Sequence, residues 1–148
     1  TPLLLSIEQE DPVSARMLIG HGANVNLDNN SSVTPLMLAA GKGQLETLSL
    51  LLEKGAEINL RSGGGQTALQ FAAAAGHTDA ARLLLAKGAD VNTADKQGTT
   101  ALMLAAQAGS AELVGMLVEK LIMATAPQSE SPTDSVSSAN QLLAWSTF

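Results

Sequence analysis

Short apolar runs recur along the chain, and polar segments that contain glycine separate them. Runs such as residues 36–40 directly follow a Thr-Pro or Thr-Ala pair, and a glycine comes a few residues later. A second kind of run, such as residues 79–85, places apolar residues at spacings of three and four. That spacing is typical of a helix with one buried face. The pattern therefore predicts pairs of short helices.

One phrase returns four times at a constant interval of 33 residues. Its copies are Thr1-Pro2-Leu3, Thr34-Pro35-Leu36, Thr67-Ala68-Leu69 and Thr100-Ala101-Leu102. The segments 22–26, 55–59 and 88–92 keep the same phase, each beginning with Gly-Ala and ending with Asn. A constant period without insertions is the signature of a repeat architecture. The chain is predicted to be an all-α repeat solenoid whose four units begin near residues 1, 34, 67 and 100.

Each part of the repeated phrase has a mechanical role. The threonine is expected to cap a first helix by accepting a hydrogen bond from an early backbone N–H, and a proline after it suits the first helical turn. Gly43, Gly76 and Gly109 follow in phase and are expected to end that helix. A second helix comes next, and a turn such as residues 95–98 leads to the next threonine.

These phrases resemble the ankyrin repeat family from residue 1 to about residue 120. The resemblance implies that each unit is a β-turn finger followed by two antiparallel helices. It also implies a structural role for His77 at the start of a second helix. One departure is systematic, because the family's histidine after Thr-Pro-Leu is replaced at Leu4, Met37, Gln70 and Met103. That histidine forms hydrogen bonds between neighbouring repeats in the family, so we expect packing to replace the bonds here, with some loss of rigidity.

The two ends of the chain depart from the repeat pattern. Leu4 and Leu5 do not make the polar outer face of a terminal repeat, so we expect further sequence upstream. Leu121 stands where a glycine is expected, which predicts that the last helix runs on through residue 123. We therefore divide the chain into a repeat domain (1–123), a Ser/Pro-rich linker (124–138) and an apolar segment (139–148). The last segment is either a short helix that caps the final repeat or the start of a next domain.

Composition narrows the classes of partner. The formal net charge of −6 and only eight scattered Lys and Arg residues argue against nucleic acid, which requires a basic patch. No apolar run has the length of a membrane span, so no membrane insertion is expected. The chain has no cysteine, which excludes disulfides and thiolate metal sites. We expect a monomeric, intracellular, cytoplasmic protein, with a nuclear location left open.

No constellation of residues indicates catalysis, a metal or a cofactor. The run 41–43 lacks the spacing of a phosphate-binding loop, and His21 and His77 have no ligand partners at metal-binding spacing. We interpret Gly63-Gly64-Gly65 as a flexible fingertip, with close approach of a ligand as the alternative. Glu8, Glu10 and Asp11 indicate a solvated acidic edge, with docking of a basic peptide as the alternative. The protein is predicted not to be an enzyme.

The resemblance implies a function in binding another protein or peptide through a concave groove and the fingers, as a scaffold or adaptor. Alternatives are a targeting or regulatory segment of a larger enzyme or effector, and a structural spacer. The variable positions of the family fall at the fingers and at the ends of the first helices. The corresponding partner-binding candidates are Glu8, Gln9, Asn30, Ser31, Val33, Lys42, Gly63, Gly64, Gln66, Lys96, Gln97, Thr99 and Gln107, with the small residues Gly41, Ala74, Ala75 and Ala108 beside them. This surface is expected to lack an aromatic anchor.

Overall fold

A computed structural model describes residues 1–125, and side chains within it through residue 123. This part of the chain forms eight α-helices: α1 (Pro2–Glu8), α2 (Pro12–Gly20), α3 (Pro35–Lys42), α4 (Leu45–Glu53), α5 (Ala68–Ala75), α6 (Thr78–Ala86), α7 (Ala101–Gln107) and α8 (Ala111–Thr125). Across the described residues the only β-pairing outside helices is an isolated bridge between Ala94 and Thr100. The predicted all-helical repeat solenoid is confirmed. The predicted C-terminal segment, and the linker from residue 126 onward, lie outside the described residues.

The repeated threonines begin the first helix of each pair. The hydroxyl of Thr34 accepts a hydrogen bond from the Met37 N–H at 3.3 Å, and Thr67 does the same for Gln70 at 3.4 Å. Thr1 and Thr100 cap α1 and α7 in the same way. Each hydroxyl satisfies a backbone donor that has no partner inside the helix. The predicted capping role of the threonines is confirmed.

A left-handed residue separates the two helices of each pair. Gly43 and Gly76 end α3 and α5 with φ of 67° and 74°, a region that glycine enters without a steric penalty. In the first pair the same place is taken by Glu10, with φ of 56°. Asp11 then caps α2 through the Ser14 N–H. The turn between α1 and α2 therefore has the same backbone shape as the later turns, with Glu10 in the left-handed position and Asp11 as the helix cap.

The helices form two layers. The first helices α1, α3, α5 and α7 lie side by side, and the second helices α2, α4, α6 and α8 form the other layer. The facing surfaces of the first helices are rich in buried alanine, such as Ala39, Ala72 and Ala105, whereas the second helices bury leucines such as Leu51 and Leu84. From the second repeat onward, contact between successive first helices (α3, α5 and α7) is more extensive than between successive second helices (α4, α6 and α8). A stack with one tight layer is concave on that side.

Three fingers connect the four helix pairs. Each finger is a turn closed by a backbone hydrogen bond: Asn29 donates to Val33 at 3.1 Å, Ser62 to Gln66 at 2.8 Å, and Asp95 to Thr99 at 2.9 Å. The three turns repeat at 33 residues, like the helices. We call residues 29–33, 62–66 and 95–99 the finger row.

The last helix is longer than the other second helices. α8 has 15 residues, whereas α4 and α6 have nine each. The predicted run-on through residue 123 is confirmed, since the chain continues as helix instead of turning outward at Leu121. The helix also includes residues 124 and 125, which the sequence assigned to the linker.

Candidate partner-binding surface

The predicted binding residues lie along one side of the stack, on the finger row and at the ends of the first helices. We call Glu8, Gln9, Gly41, Lys42, Ala74, Ala75, Gln107 and Ala108 the first-helix ends. Among the predicted residues, most are exposed: Glu8, Gln9, Asn30, Ser31, Gly63, Gly64, Lys96, Gln97 and Gln107. Four are half-buried instead: Val33, Lys42, Gln66 and Thr99.

The fingers are joined to one another by backbone hydrogen bonds. The Gly63 N–H donates to the Ser31 carbonyl at 2.8 Å, and the Lys96 N–H donates to the Gly64 carbonyl at 3.0 Å. Each bond links a finger to the next one in the row. Five of the predicted positions are thus brought together into one continuous ribbon: Ser31, Gly63, Gly64, Lys96 and, through the Asp95 turn, Gln97.

The interpretation of Gly63-Gly64-Gly65 as a flexible fingertip is wrong. A Cβ atom at Gly63 would lie 3.0 Å from the Ser31 carbonyl oxygen, and Gly65 adopts φ of 84° beside the Lys96 backbone. Arg61 adds two side-chain bonds, from Nε to the Gly65 carbonyl at 3.0 Å and from Nη2 to the Ala94 carbonyl at 2.7 Å. Gly63 and Gly65 are therefore favoured because the neighbouring fingers approach closely, whereas Gly64 has no such close neighbour.

The same turn is built with three different side chains. Asn29 Oδ1 accepts from the N–H groups of Ser31 and Val33, and Asp95 Oδ1 accepts from Gln97 and Thr99 at 2.9 and 2.8 Å. Ser62 Oγ accepts from the Gln66 N–H at 3.2 Å. Such residues stabilise turns by binding nearby backbone N–H groups. The sequence predicted a turn at Asp95, whereas the equivalent roles of Asn29 and Ser62, at the same 33-residue spacing, were not predicted.

Gln70 forms the bonds that packing was expected to replace. Its side chain is buried; Oε1 accepts from the Thr67 N–H at 2.8 Å, and Nε2 donates to the carbonyls of Thr93 and Thr99 at 3.1 and 2.8 Å. The last two belong to the connection that leads into the fourth helix pair. The expected loss of hydrogen bonding is therefore wrong at Gln70. At Met37 the expected replacement of hydrogen bonds by packing is closer to what is seen. Its side chain has one weak polar contact, in which the Thr34 N–H lies 3.5 Å from Met37 Sδ.

An aromatic residue, Phe71, lies beside the first-helix ends, although it is not among the predicted binding residues. Phe71 lies one turn before Ala74 and Ala75 on α5, and its spacing of three and four puts all three on one helix face. The ring is half-buried and sits beside Gly41, where a Cβ atom would meet Phe71 Cδ1 at 3.4 Å. A partly exposed ring flanked by small residues is a feature on which an apolar side chain can pack. The expected absence of an aromatic from this surface is corrected.

Charged groups at the first turn are largely engaged within the protein. Lys42 Nζ lies 3.3 Å from the Glu10 carboxylate. Asp11 accepts hydrogen bonds from the hydroxyl and the backbone N–H of Ser14, and these bonds hold the pKa of its carboxyl below its ordinary value because they favour the charged form. The acidic edge is therefore partly a helix cap at Asp11 and partly an exposed ion pair at Glu10, and Glu8 is exposed beside them.

Sequence comparison agrees with this architecture. The chain matches the profile of a family described as ankyrin repeats (3 copies) twice, over residues 1–62 and 57–127. The chain belongs to the ankyrin repeat family. The profile describes three copies, whereas the described residues hold four helix pairs. No curated protein that was compared with the chain matches it.

Ankyrin repeats are generally protein-interaction modules and typically non-catalytic. In residues 1–125, no three His, Asp or Glu side chains are grouped as a metal site would need. Every helix within that range is too short or too polar to cross a membrane. His21 is an exposed residue at the end of α2, with Nδ1 2.7 Å from the Met17 carbonyl oxygen.

Further side-chain contacts between repeats hold the ankyrin stack together. Asn26 Oδ1 accepts from the Glu57 N–H at 2.8 Å, and Asn59 Oδ1 accepts from the Asp90 N–H at 2.8 Å. On the second-helix layer, Arg16 pairs with Glu46, and Arg82 pairs with Glu112. Both ion pairs join side chains of neighbouring repeats.

Proposed function

We propose that this chain is a protein-interaction module that acts as a scaffold or adaptor, binding a partner protein or peptide across the finger row and the first-helix ends. Two adjacent features carry the proposal. The fingers are bonded to one another through their backbones and expose their side chains, and the exposed face of α5 carries small residues beside an aromatic ring. On that face, Phe71 is flanked by the small residues Ala74 and Ala75.

The hydrogen bonds between fingers matter for affinity. A loop that must be ordered on binding loses conformational entropy, and pre-organisation lowers that cost. Here the row is already fixed by the bonds from Gly63 to Ser31 and from Lys96 to Gly64. Side chains such as Asn30 and Gln97 therefore project from a defined backbone.

The helix face supplies a second kind of contact. Ala74 and Ala75 are exposed and small, so a partner backbone can approach α5 closely. The partly exposed ring of Phe71 offers apolar area beside them, and buried apolar area contributes about 25 cal/mol per Å². We therefore expect the partner to place an apolar side chain against Phe71 while its polar groups contact the fingers.

A matched pair of arginine substitutions tests which side of the stack binds. Ala74→Arg puts a long cation on the exposed end of α5, and Ala86→Arg puts the same side chain on the exposed end of α6 in the other layer. Each cation lies near a helix C-terminus, where positive charge is mildly favourable, so neither change should unfold the protein. Affinity capture with mass spectrometry is expected to lose specific partners with Ala74→Arg and to retain them with Ala86→Arg.

A second pair tests the fingers. Lys96→Ala removes an exposed finger side chain, whereas Lys87→Ala removes an exposed lysine at the end of α6. The same captured proteins should decrease with Lys96→Ala alone. Equal loss in both members of either pair, or capture unaffected by Ala74→Arg and Lys96→Ala, would show that this surface is not the binding site.

A further inference from the structure

The last ankyrin repeat exposes a face that the inner repeats bury. Met37 and Gln70 are each 1% exposed, whereas Met103, at the next equivalent position 33 residues on, is 57% exposed. Ala73 is fully buried, and its equivalent Ala106 is exposed. In the third repeat, the Gln70 side chain is covered by the connection that leads to the following first helix, to which it donates two hydrogen bonds. The fourth repeat presents the same apolar positions with no following helix pair among the described residues.

The long final helix extends this face. Val118 and Met123 on α8 are both exposed, the latter at 69%. Met123 also borders a shallow cleft of about 330 Å³ together with Asn92 and Lys120. We call Met103, Ala106, Val118 and Met123 the C-terminal face. Exposed apolar residues at the end of a repeat stack are unusual, because terminal repeats normally have a polar outer side.

We propose that residues 139–148 of this same chain bind the C-terminal face and close the stack. Residues 126–138 are dominated by Ser, Pro, Thr and acidic residues, and they carry no apolar pattern. The segment after them brings Leu142, Leu143 and Trp145 close together. It therefore offers the large apolar side chains that the exposed positions on α7 and α8 lack as neighbours.

The distance along the chain suits an intrachain contact. The 13 residues 126–138 can reach at most about 45 Å, which is about four helix diameters. The C-terminal face includes Met123 on α8, three residues before residue 126. We call residues 139–148 the tail. The tail therefore reaches Met103 on the neighbouring helix without extending fully.

Tethering also favours this segment over a separate partner. A short flexible linker gives an effective concentration on the order of 1 mM. A tail that binds in trans with a Kd of about 0.1 mM would thus be docked about nine-tenths of the time in the intact chain. Another protein would have to displace the tail before it could use this face.

Tryptophan fluorescence gives a direct test, because Trp145 is the only Trp and the chain has no Tyr. In the intact protein its emission should be blue-shifted and protected from acrylamide, relative to a synthetic peptide of residues 139–148. Met103→Glu should shift the emission toward that of the peptide. Glutamate at this position is compatible with α7, since it stands three residues after the capping Thr100, where it completes a capping box.

Met17→Glu is the matched control. Met17 is 59% exposed, close to the 57% of Met103, but it lies on α2 at the other end of the stack. The emission of Trp145 should not change with Met17→Glu. Far-UV circular dichroism of both variants checks that the helices persist.

Three results would overturn the proposal. The first is emission from the intact protein that matches the free peptide. The second is an equal shift with Met17→Glu and Met103→Glu. The third is a blue shift that disappears on dilution, which would make the occupant a second copy of the chain. Binding of the peptide to residues 1–125 in trans, weakened by Met103→Glu, would support the same contact independently. None of these measurements depends on the proposed partner-binding role.

Discussion

At the level of single residues, contacts between repeats depend on polar side chains whose partners are backbone groups. Gln70 connects the start of its own helix with the segment before α7 through one accepted and two donated bonds. Gln44 reaches back to the Ile7 carbonyl at 2.9 Å. Because a side-chain amide both donates and accepts, one residue can satisfy backbone groups from two repeats.

Replacing Gln70 should be costly. Gln70→Leu leaves the buried Thr67 N–H and the Thr93 carbonyl without their Gln70 partner, whereas the Thr99 carbonyl keeps the Asp95 N–H. Each buried unsatisfied group costs about 1–3 kcal/mol. We expect the free energy of unfolding to fall by about 3 kcal/mol in urea denaturation. Met37→Leu, at the equivalent position of the preceding repeat, is the control and should cost under about 1.5 kcal/mol. Similar losses in the two variants would mean that the Gln70 bonds contribute little.

Glu10 is expected to be a site of backbone strain. Its φ of 56° is occupied by glycine at the equivalent Gly43 and Gly76, and a left-handed non-glycine residue costs about 1–2 kcal/mol. Its ion pair with Lys42 is largely exposed and contributes under about 1 kcal/mol. Glu10→Gly should therefore stabilise the protein, by about 0.5–1 kcal/mol, as measured by thermal and urea unfolding.

Glu10→Ala separates the two effects at this position. Alanine removes the ion pair with Lys42 but keeps a Cβ atom in the left-handed region. It should be neutral or slightly destabilising. If Glu10→Ala stabilised the protein as much as Glu10→Gly, relief of backbone strain could not be the cause.

At the level of elements, asparagines connect the segments that follow the second helices. We call these segments, residues 22–26, 55–59 and 88–92, the hairpins, and the asparagine bonds between them the ladder. Asn26 and Asn59 each accept a hydrogen bond from a backbone N–H in the next hairpin. Asn92 is the next position in the series, but α8 continues as helix where the next hairpin would begin. The run-on of α8 therefore ends the ladder.

This difference predicts unequal effects of the same substitution. Asn59→Ala should lower the free energy of unfolding by about 1 kcal/mol, the net value of a typical hydrogen bond. Asn92→Ala should change it much less, since its side chain makes no hydrogen bond to the described hairpins. Urea unfolding of both variants would measure the contrast, and equal effects would argue against the ladder as a source of stability.

At the level of the whole molecule, the extensive contacts of each described helix pair are with its immediate neighbours. Stability in such a stack is the sum of the repeats and their interfaces. The inner pairs α3–α4 and α5–α6 have neighbours on both sides, whereas the end pairs of the described stack have one. Local opening should therefore be easier at the ends than in the middle.

Native-state hydrogen exchange should show this gradient. Amides of α3 to α6 are expected to be the most protected, and those of α1 and α2 less so. Deleting residues 126–148 should reduce protection in α7 and α8 but not in α1 and α2, if the tail covers the C-terminal face. Uniform protection along the chain would indicate a single cooperative unit instead of a nearest-neighbour stack.

The sequence by itself determined the helices, their caps, the 33-residue period and the run-on of α8. These features depend on residues a few positions apart, such as Thr67 and the Gln70 N–H or Gly76 at the end of α5, so their signals are local. The fold class and the family followed from the same period. The predicted linker and tail remain predictions.

Only the tertiary structure decided how neighbouring repeats meet. Gln70 binds carbonyls 23 and 29 residues away, and Gly63 is required by a carbonyl in the preceding finger. Phe71 became part of the candidate surface because Gly41 of another helix lies beside its ring. Such contacts depend on the stacking distance of whole helix pairs. No single repeat determines that distance, because it is set by how the alanines and leucines of two repeats pack together.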